Sequence, residues 1–213
     1  MVAATSSNSS TADERRDAYA NSNTSCPNSI SSPGPTASLD YAILRIINPD
    51  EIAVTLNPRD PDAVAAAAGS EALLQREVAL ARGETFAIET TFSGNSERRL
   101  IEAAMAQGYR VTMTYVALKH SEDNVSRVER RAAIERRTVP AEVVRRRYER
   151  SLTMFCYVAD TLDRLDVFDD SRQDFQAVLT LERGRIVAAA PDMPAWTRRA
   201  LRVQLERDRG IER

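Results

Sequence analysis

The sequence predicts an α/β fold on a mainly parallel sheet, and three observations carry that prediction. Short apolar runs rich in β-branched residues, at 41–47, 85–91 and 110–118, alternate with longer segments of helical spacing, the pattern of parallel βαβ units covered on both faces. Two of these runs end alike, as strand, then acid, then helix: Arg45-Ile-Ile-Asn-Pro-Asp-Glu-Ile52 and Phe86-Ala-Ile-Glu-Thr-Thr-Phe-Ser-Gly94. Open α/β sheets bind ligands outside the carboxyl ends of their strands, so a site is expected between these two ends. The chain has 213 residues, 43% of them hydrophobic and 28% charged, enough for one α/β domain with a core.

Composition removes several classes. The formal net charge of -2 argues against bulk electrostatic binding to nucleic acid or a membrane. Arginine-rich stretches at 129–137 and 145–150 are interleaved with glutamates, which weakens a nucleic-acid reading further. Lys119 is the one lysine among 29 basic residues, and the rest are arginine. Cys26 and Cys156 make neither a disulfide framework nor a CxxC pair, which fits a reduced, cytoplasmic setting. No apolar run approaches the roughly 18 residues of a membrane span, and no basic start followed by an apolar stretch suggests a leader.

Residues 1–38 are dominated by Ser, Thr, Asn, Pro and Ala and are expected to form a low-complexity, disordered tail, leaving 39–213 as the folded domain. A strand over 41–47 ends at Asn48-Pro49-Asp50, and a short helix follows. Asp60 is expected to cap a long helix that starts at Pro61 and closes at Gly83. Its apolar positions Ala66, Leu73, Leu74, Val78 and Leu80 are read as the core face. Asn95-Ser96 is expected to cap a helix ended by Gly108. Residues 121–137 form a charged helix. A second long helix, 140–165, carries the stripe Val144, Tyr148, Leu152, Phe155, Ala159 and Leu162. A strand at 166–169 ends in acids, a hairpin turns at Arg183-Gly184, and an amphipathic helix covers 196–209.

Bland readings hold for several residues. His120 is a solvated turn residue, Cys156 a small packing residue, and Asp169 and Asp170 loop acids. Arg145-Arg-Arg147 is mostly a solvated face, with Arg145 paired to Glu149 one turn on. No cluster with metal-ligand spacing is present.

Taken in order, the blocks Ile46-Ile-Asn-Pro-Asp-Glu-Ile-Ala53, Leu56-Asn-Pro, Gly83-Glu-Thr-Phe-Ala-Ile-Glu-Thr-Thr-Phe-Ser-Gly94, Ala106-Gln-Gly-Tyr-Arg-Val111 and Val139-Pro-Ala-Glu-Val-Val-Arg-Arg-Arg-Tyr-Glu-Arg-Ser151 resemble the zeta-toxin family of P-loop kinases. The resemblance spans roughly residues 39–175. It implies a P-loop kinase-like three-layer sandwich, ATP and Mg²⁺ as cofactors, and phosphoryl transfer to UDP-N-acetylglucosamine or a similar small hydroxyl acceptor. It also implies a toxin–antitoxin setting with an antitoxin protein as partner. By this resemblance Asp50 is the base that takes the acceptor's proton, Glu89, Thr90 and Thr91 hold the acceptor, and Arg130, Arg137 and Arg146 clamp phosphate. The chemistry is coherent, because phosphoryl transfer is mostly positioning plus charge stabilisation, and the arginine fork binds phosphate bidentately.

One part of the family pattern is missing. A phosphate loop, GxxxxGK[ST], should follow a first apolar strand, with its lysine on the β and γ phosphates. Here Ser31-Ser-Pro-Gly-Pro-Thr-Ala-Ser38 has no apolar strand before it, no lysine precedes Lys119, and Pro33 and Pro35 remove N–H groups. The first strand is therefore expected to be absent, leaving two strand edges and part of the core open, with marginal stability or self-association as the result. The sequence thus carries two functional readings: an impaired kinase, or a non-catalytic protein that binds sugar nucleotide or a partner.

Overall fold

A computed structural model describes residues 2–6, 45–135, 139–171, 175–202 and 204–205. Within them, seven strands form one sheet: β1 (Val2–Ser6), β2 (Arg45–Ile47), β3 (Phe86–Ile88), β4 (Tyr109–Ala117), β5 (Arg164–Asp169), β6 (Gln176–Glu182) and β7 (Arg185–Ala189). Their spatial order is β2-β3-β1-β4-β5-β6-β7. β2 pairs parallel with β3, and β4 parallel with β5. β1 runs antiparallel to both β3 and β4, so those two point the same way. β6 reverses against β5, and β7 reverses again. The fold is α/β, but the sheet is mixed and not mainly parallel as expected: four of its six strand pairings are antiparallel, because β1 enters the centre in reverse and β6 and β7 close one side as a hairpin.

The centre of this sheet differs from the expectation. The slot of a missing first strand is filled by five residues of the stretch read as a disordered tail. β1 places Val2, Ala3 and Ala4 against Ile88, Ala87 and Phe86 on one side, and Val2 to Ser6 against Met113 to Tyr109 on the other. The two open edges are thereby paired. Alanine and serine are poor strand formers, so local composition gave no signal for a strand here; a slot bounded by two ladders of unpaired backbone groups outweighs weak propensity. The region 31–38, where the phosphate loop was sought, lies outside the described residues.

Helices α1 (Pro49–Leu56), α2 (Ala65–Ala81), α3 (Asn95–Ala106), α4 (Ser121–Glu135), α5 (Ala141–Val158) and α6 (Ala195–Ala200) connect the strands. Asp60 does cap, its carboxylate accepting from the Ala63 N–H, but the segment it opens is a single 3₁₀ turn, Pro61–Val64, before α2 begins. Gly83 and Gly108 follow α2 and α3 with φ of 68° and 80°, the left-handed geometry that ends a helix. The residue preceding α3 is Gly94, and it supplies no side-chain cap in place of the expected Asn95-Ser96. α5 stops at Val158, not at 165, because β5 starts at Arg164. α6 is short, Ala195–Ala200, and helical residues resume at 202 and 204–205.

The core lies on both faces of β4: Val111, Met113 and Tyr115 are buried, and so are Thr112 and Thr114 between them. Tyr115 stacks on Phe155 of α5 with centroids 4.2 Å apart, an arrangement worth about 1 kcal/mol beyond its area. Of the expected α5 stripe, Val144 and Phe155 are buried and Tyr148 and Leu152 half-buried, while Ala159 and Leu162 are buried just past the helix end. The α2 face holds only in part: Leu80 is buried and Val78 half-buried, but the other buried positions are Ala68, Ala72 and Ala79, Leu73 and Leu74 are exposed, and Ala66 faces solvent. The inner face of α2 is thus alanine-rich, with Leu80 as its one large buried side chain. Cys156 is likewise exposed, not packed inside, with Sγ 3.0 Å from the Ala200 carbonyl. No helix of the described residues is long and apolar enough to cross a membrane.

Candidate functional site at the carboxyl ends of the strands

The ends of β2 and β3 are joined by one asparagine. Asn48 caps α1: its Oδ1 accepts from the Asp50 N–H at 2.8 Å, and its Nδ2 donates to Glu89 Oε2 at 2.8 Å. The Glu89 N–H donates to the Ile47 carbonyl at 3.3 Å. Strand pairing sets Ile47 beside Ile88, so Asp50 and Glu89 emerge from neighbouring strands at one edge. Asp50 is exposed in the first turn of α1, behind Pro49, and Glu89 is half-buried. Asn48 thus ties the backbone at Asp50 to the Glu89 carboxylate, while the Asp50 side chain takes no part in that link. Its signal was present, since Asn before Pro-Asp is an N-cap pattern, but a cap residue that also spends its amide on a neighbouring strand cannot be read locally.

After Glu89 the chain turns sharply. Phe92 has φ 50°, unusual for a bulky residue, and is 1% exposed. Burial of the ring and the Phe92 N–H bond to Thr90 Oγ1 (3.0 Å) hold this turn. Thr90 Oγ1 in turn donates to Glu97 Oε1 at 3.3 Å, and Arg76 Nη1 lies 3.8 Å from the same oxygen. Thr90 is thus committed to the turn, while Thr91 is exposed, its hydroxyl 2.9 Å from that of Ser93.

Thr91 opens onto a cavity of about 140 Å³ that continues past Tyr115, Val116 and Ala117 of β4 to the α4–α5 hairpin, where Asn124, Val144, Arg147, Tyr148 and Ser151 line it. It exists because β4 runs on to Ala117 while its pairing with β1 ends at Met113 opposite Val2. The cavity is polar at several points. The Tyr115 and Ser151 hydroxyls are 3.0 Å apart, and burial pushes the Tyr115 pKa up strongly, so the phenol stays protonated. Tyr148 donates to the Leu118 carbonyl at 3.0 Å, and burial raises its pKa to about 12.

The expected phosphate-binding arginines sit differently. Arg130 is exposed on α4, with Nε donating to the Ser126 carbonyl at 3.3 Å, and it does not line the cavity. Arg146 is exposed on α5 and does not line it either. Arg137 lies outside the described residues. The cavity arginine is Arg147. It follows Val144 by three positions and precedes Tyr148 and Ser151, so it shares their helix face, one position on from the expected Arg146. Arg145 does not pair with Glu149. It bonds Glu122 at 2.6 Å and Glu142 at 2.5 Å, tying α5 to the start of α4. That pairing lowers the Glu122 pKa and raises that of Arg145.

Asp169 is the last residue of β5 and not a loop acid, whereas Asp170 lies in the loop after it, and neither is solvated. Both are buried. Asp169 closes β5, accepting from Trp196 Nε1 at 2.9 Å and from the Ser171 N–H at 2.7 Å. Asp170 forms an ion pair with Arg127, whose Nη2 also donates to the Asp170 carbonyl at 2.6 Å. These acids brace the site from behind. His120 is an exposed bend residue before α4, as expected, its N–H donating to Asp123 Oδ2 at 3.2 Å.

No protein-family model and no solved structure matches the chain. An uncharacterized protein of Haemophilus influenzae is similar to it, 28% identical over 107 residues that cover 50% of this chain and 76% of that relative.

Proposed function

We propose that this chain is a zeta-toxin-like protein on a P-loop kinase-type scaffold that keeps the acceptor half of a phosphoryl-transfer site. It binds a nucleotide sugar or a similar small phosphorylated hydroxyl compound and does not phosphorylate it. The observation that carries the reading is the Asn48 side chain, held between the Asp50 backbone N–H and the Glu89 carboxylate at the edge shared with the cavity of Thr91 and Arg147. Carboxylates accept from sugar hydroxyls. The Arg147 fork lines the cavity, makes no hydrogen bond or ion pair with the described residues, and is suited to a phosphate oxygen pair. The protonated Tyr115 phenol and the Asn124 amide supply neutral hydrogen bonds nearby.

The residues present do not fit Mg²⁺-ATP. β1 runs with its carboxyl end, Ser6, opposite Tyr109, at the edge of the sheet away from Asp50 and Glu89. A phosphate loop must follow a strand that points toward the site. The chain also lacks a lysine to reach the phosphates anywhere before Lys119.

Isothermal titration with UDP-N-acetylglucosamine and, separately, with Mg²⁺-ATP tests this. Saturable heat with the sugar nucleotide and none with ATP is expected. Arg147→Ala should weaken sugar-nucleotide binding about tenfold, the equivalent of about 1.4 kcal/mol, with an unchanged melting temperature. ATP binding with a phosphorylated product would overturn the reading and favour active kinase chemistry. That second reading is supported by the exposed position of Asp50 in the first turn of α1; loss of product with Asp50→Ala would establish it.

A further inference from the structure

The groove between β3 and β4 is the most unusual feature of the sheet, and we propose that it accepts a β-strand in trans as well as in cis, the occupant in trans being residues 2–6 of a second copy of this chain. The inference is independent of what the site binds.

The groove must be filled. Its walls, Phe86, Ala87 and Ile88 on one side and Val111, Thr112 and Met113 on the other, are all less than 5% exposed. Emptied, both walls would present unpaired backbone donors and acceptors in the middle of the sheet, where no flanking strand can reach them. Its present occupant is held by ladder pairing along both sides, three residues against β3 and five against β4. Recognition by main-chain pairing to an exposed ladder is how peptides are captured by β-augmentation, and it asks for a backbone of the right length and direction more than for particular side chains. Val-Ala-Ala-Thr-Ser supplies just that.

Covalent connectivity does not decide whose strand enters. β1 is next in the chain to neither β3 nor β4; residues 7–44 separate it from β2. Arg45, where β2 starts, pairs with Phe86, which pairs with Ala4. The carboxyl end of β1 and the start of β2 therefore lie at one edge of the sheet, two strand spacings or about 10 Å apart. Residues 7–44 could span about 120 Å when extended. Delivery of the strand to a neighbouring molecule is thus sterically open, which is the condition for exchange of an identical element between protomers. The tether gives the chain's own strand an effective concentration of order millimolar, so exchange grows at high protein concentration or when the resident strand is disabled.

The test uses the full chain with Ala3→Pro, which removes a central donor and blocks entry of its own strand, together with a synthetic peptide of residues 1–8. The variant should melt at least about 5 °C below the parent. Millimolar peptide should restore the midpoint, and the same peptide carrying proline at position 3 should not. If the variant fails to fold, refolding with the peptide replaces the melt, and recovery is the expected result. A fluorescent form of the peptide should also exchange slowly into the unmodified chain. For the second copy, the parent warmed at high concentration and cooled should sediment partly as a dimer that Ala3→Pro does not form. A variant that melts like the parent, a peptide without effect on melting or refolding, or a parent that is monomeric after warming would overturn the proposal.

Discussion

Single residues set the character of the site more than its outline does. Phe92 occupies a left-handed turn that L residues avoid, at a cost of order 1 kcal/mol or more, and the return is a buried ring that aims Thr90 inward and Thr91 outward. Tyr148 shows a simpler balance. As a phenol it donates to the Leu118 carbonyl and, at 3.3 Å, to that of Lys119; as a phenolate it can donate to neither. Burial raises its folded pKa to about 12 from an ordinary value near 10. The folded state therefore holds its proton more tightly than the unfolded state. The associated stability is fully present below about pH 10 and is lost as pH rises through about 12. Denaturant melts across that window should show declining stability, with a shallower decline in Tyr148→Phe. An equal decline in both would mean that Tyr148 is not the group responsible. The sequence showed Asp50 and Glu89 because acids at strand ends are conspicuous. It showed Asn48 only as a cap, and it left open which of three consecutive arginines lines the cavity, because those roles depend on a neighbouring strand and on the face α5 turns to β4.

At the scale of elements, the α4–α5 hairpin matters most, because it forms one wall of the cavity. Its polar links among the described residues include Arg127 to Asp170 after β5, Arg145 to Glu122 across the hairpin, and Tyr148 to the end of β4. They are not equivalent. The Arg145 link is solvent-exposed and is worth little in stability. Asp170 is buried while Arg127 is about one-third exposed. Arg127→Met would leave a buried carboxylate unpaired and should cost about 2–3 kcal/mol, less than a fully buried pair because water reaches Arg127. Urea denaturation measures this, and a loss under about 0.5 kcal/mol would show that Asp170 is solvated. Arg145→Met should fall within that smaller range. Helix positions were legible from periodicity and glycine stops; helix faces were less so, as in α2, where alanines pack and Leu73 and Leu74 do not.

For the whole molecule the sheet is the frame, and its order predicts a gradient of stability. β4 is buried on both faces and paired on both sides, whereas β7 is an edge with Val187 54% exposed. Amide exchange should be slowest at Val111, Thr112 and Met113 and fastest, by orders of magnitude, along β7. Equal rates would mean that the sheet opens only by global unfolding. The amino-acid sequence alone determined the alternation of strands and helices, the direction of the parallel strands, the placement of Asp50 and Glu89 at their ends, and the lack of a phosphate loop before Lys119. All of these follow from local spacing and residue type. Only the tertiary structure decided which strand completes the sheet, which arginine enters the cavity, and which acids are spent on bracing. Each of those is a competition for a buried position between groups distant in sequence, and its outcome depends on the backbone ladders and charges left without a partner once the local elements have formed.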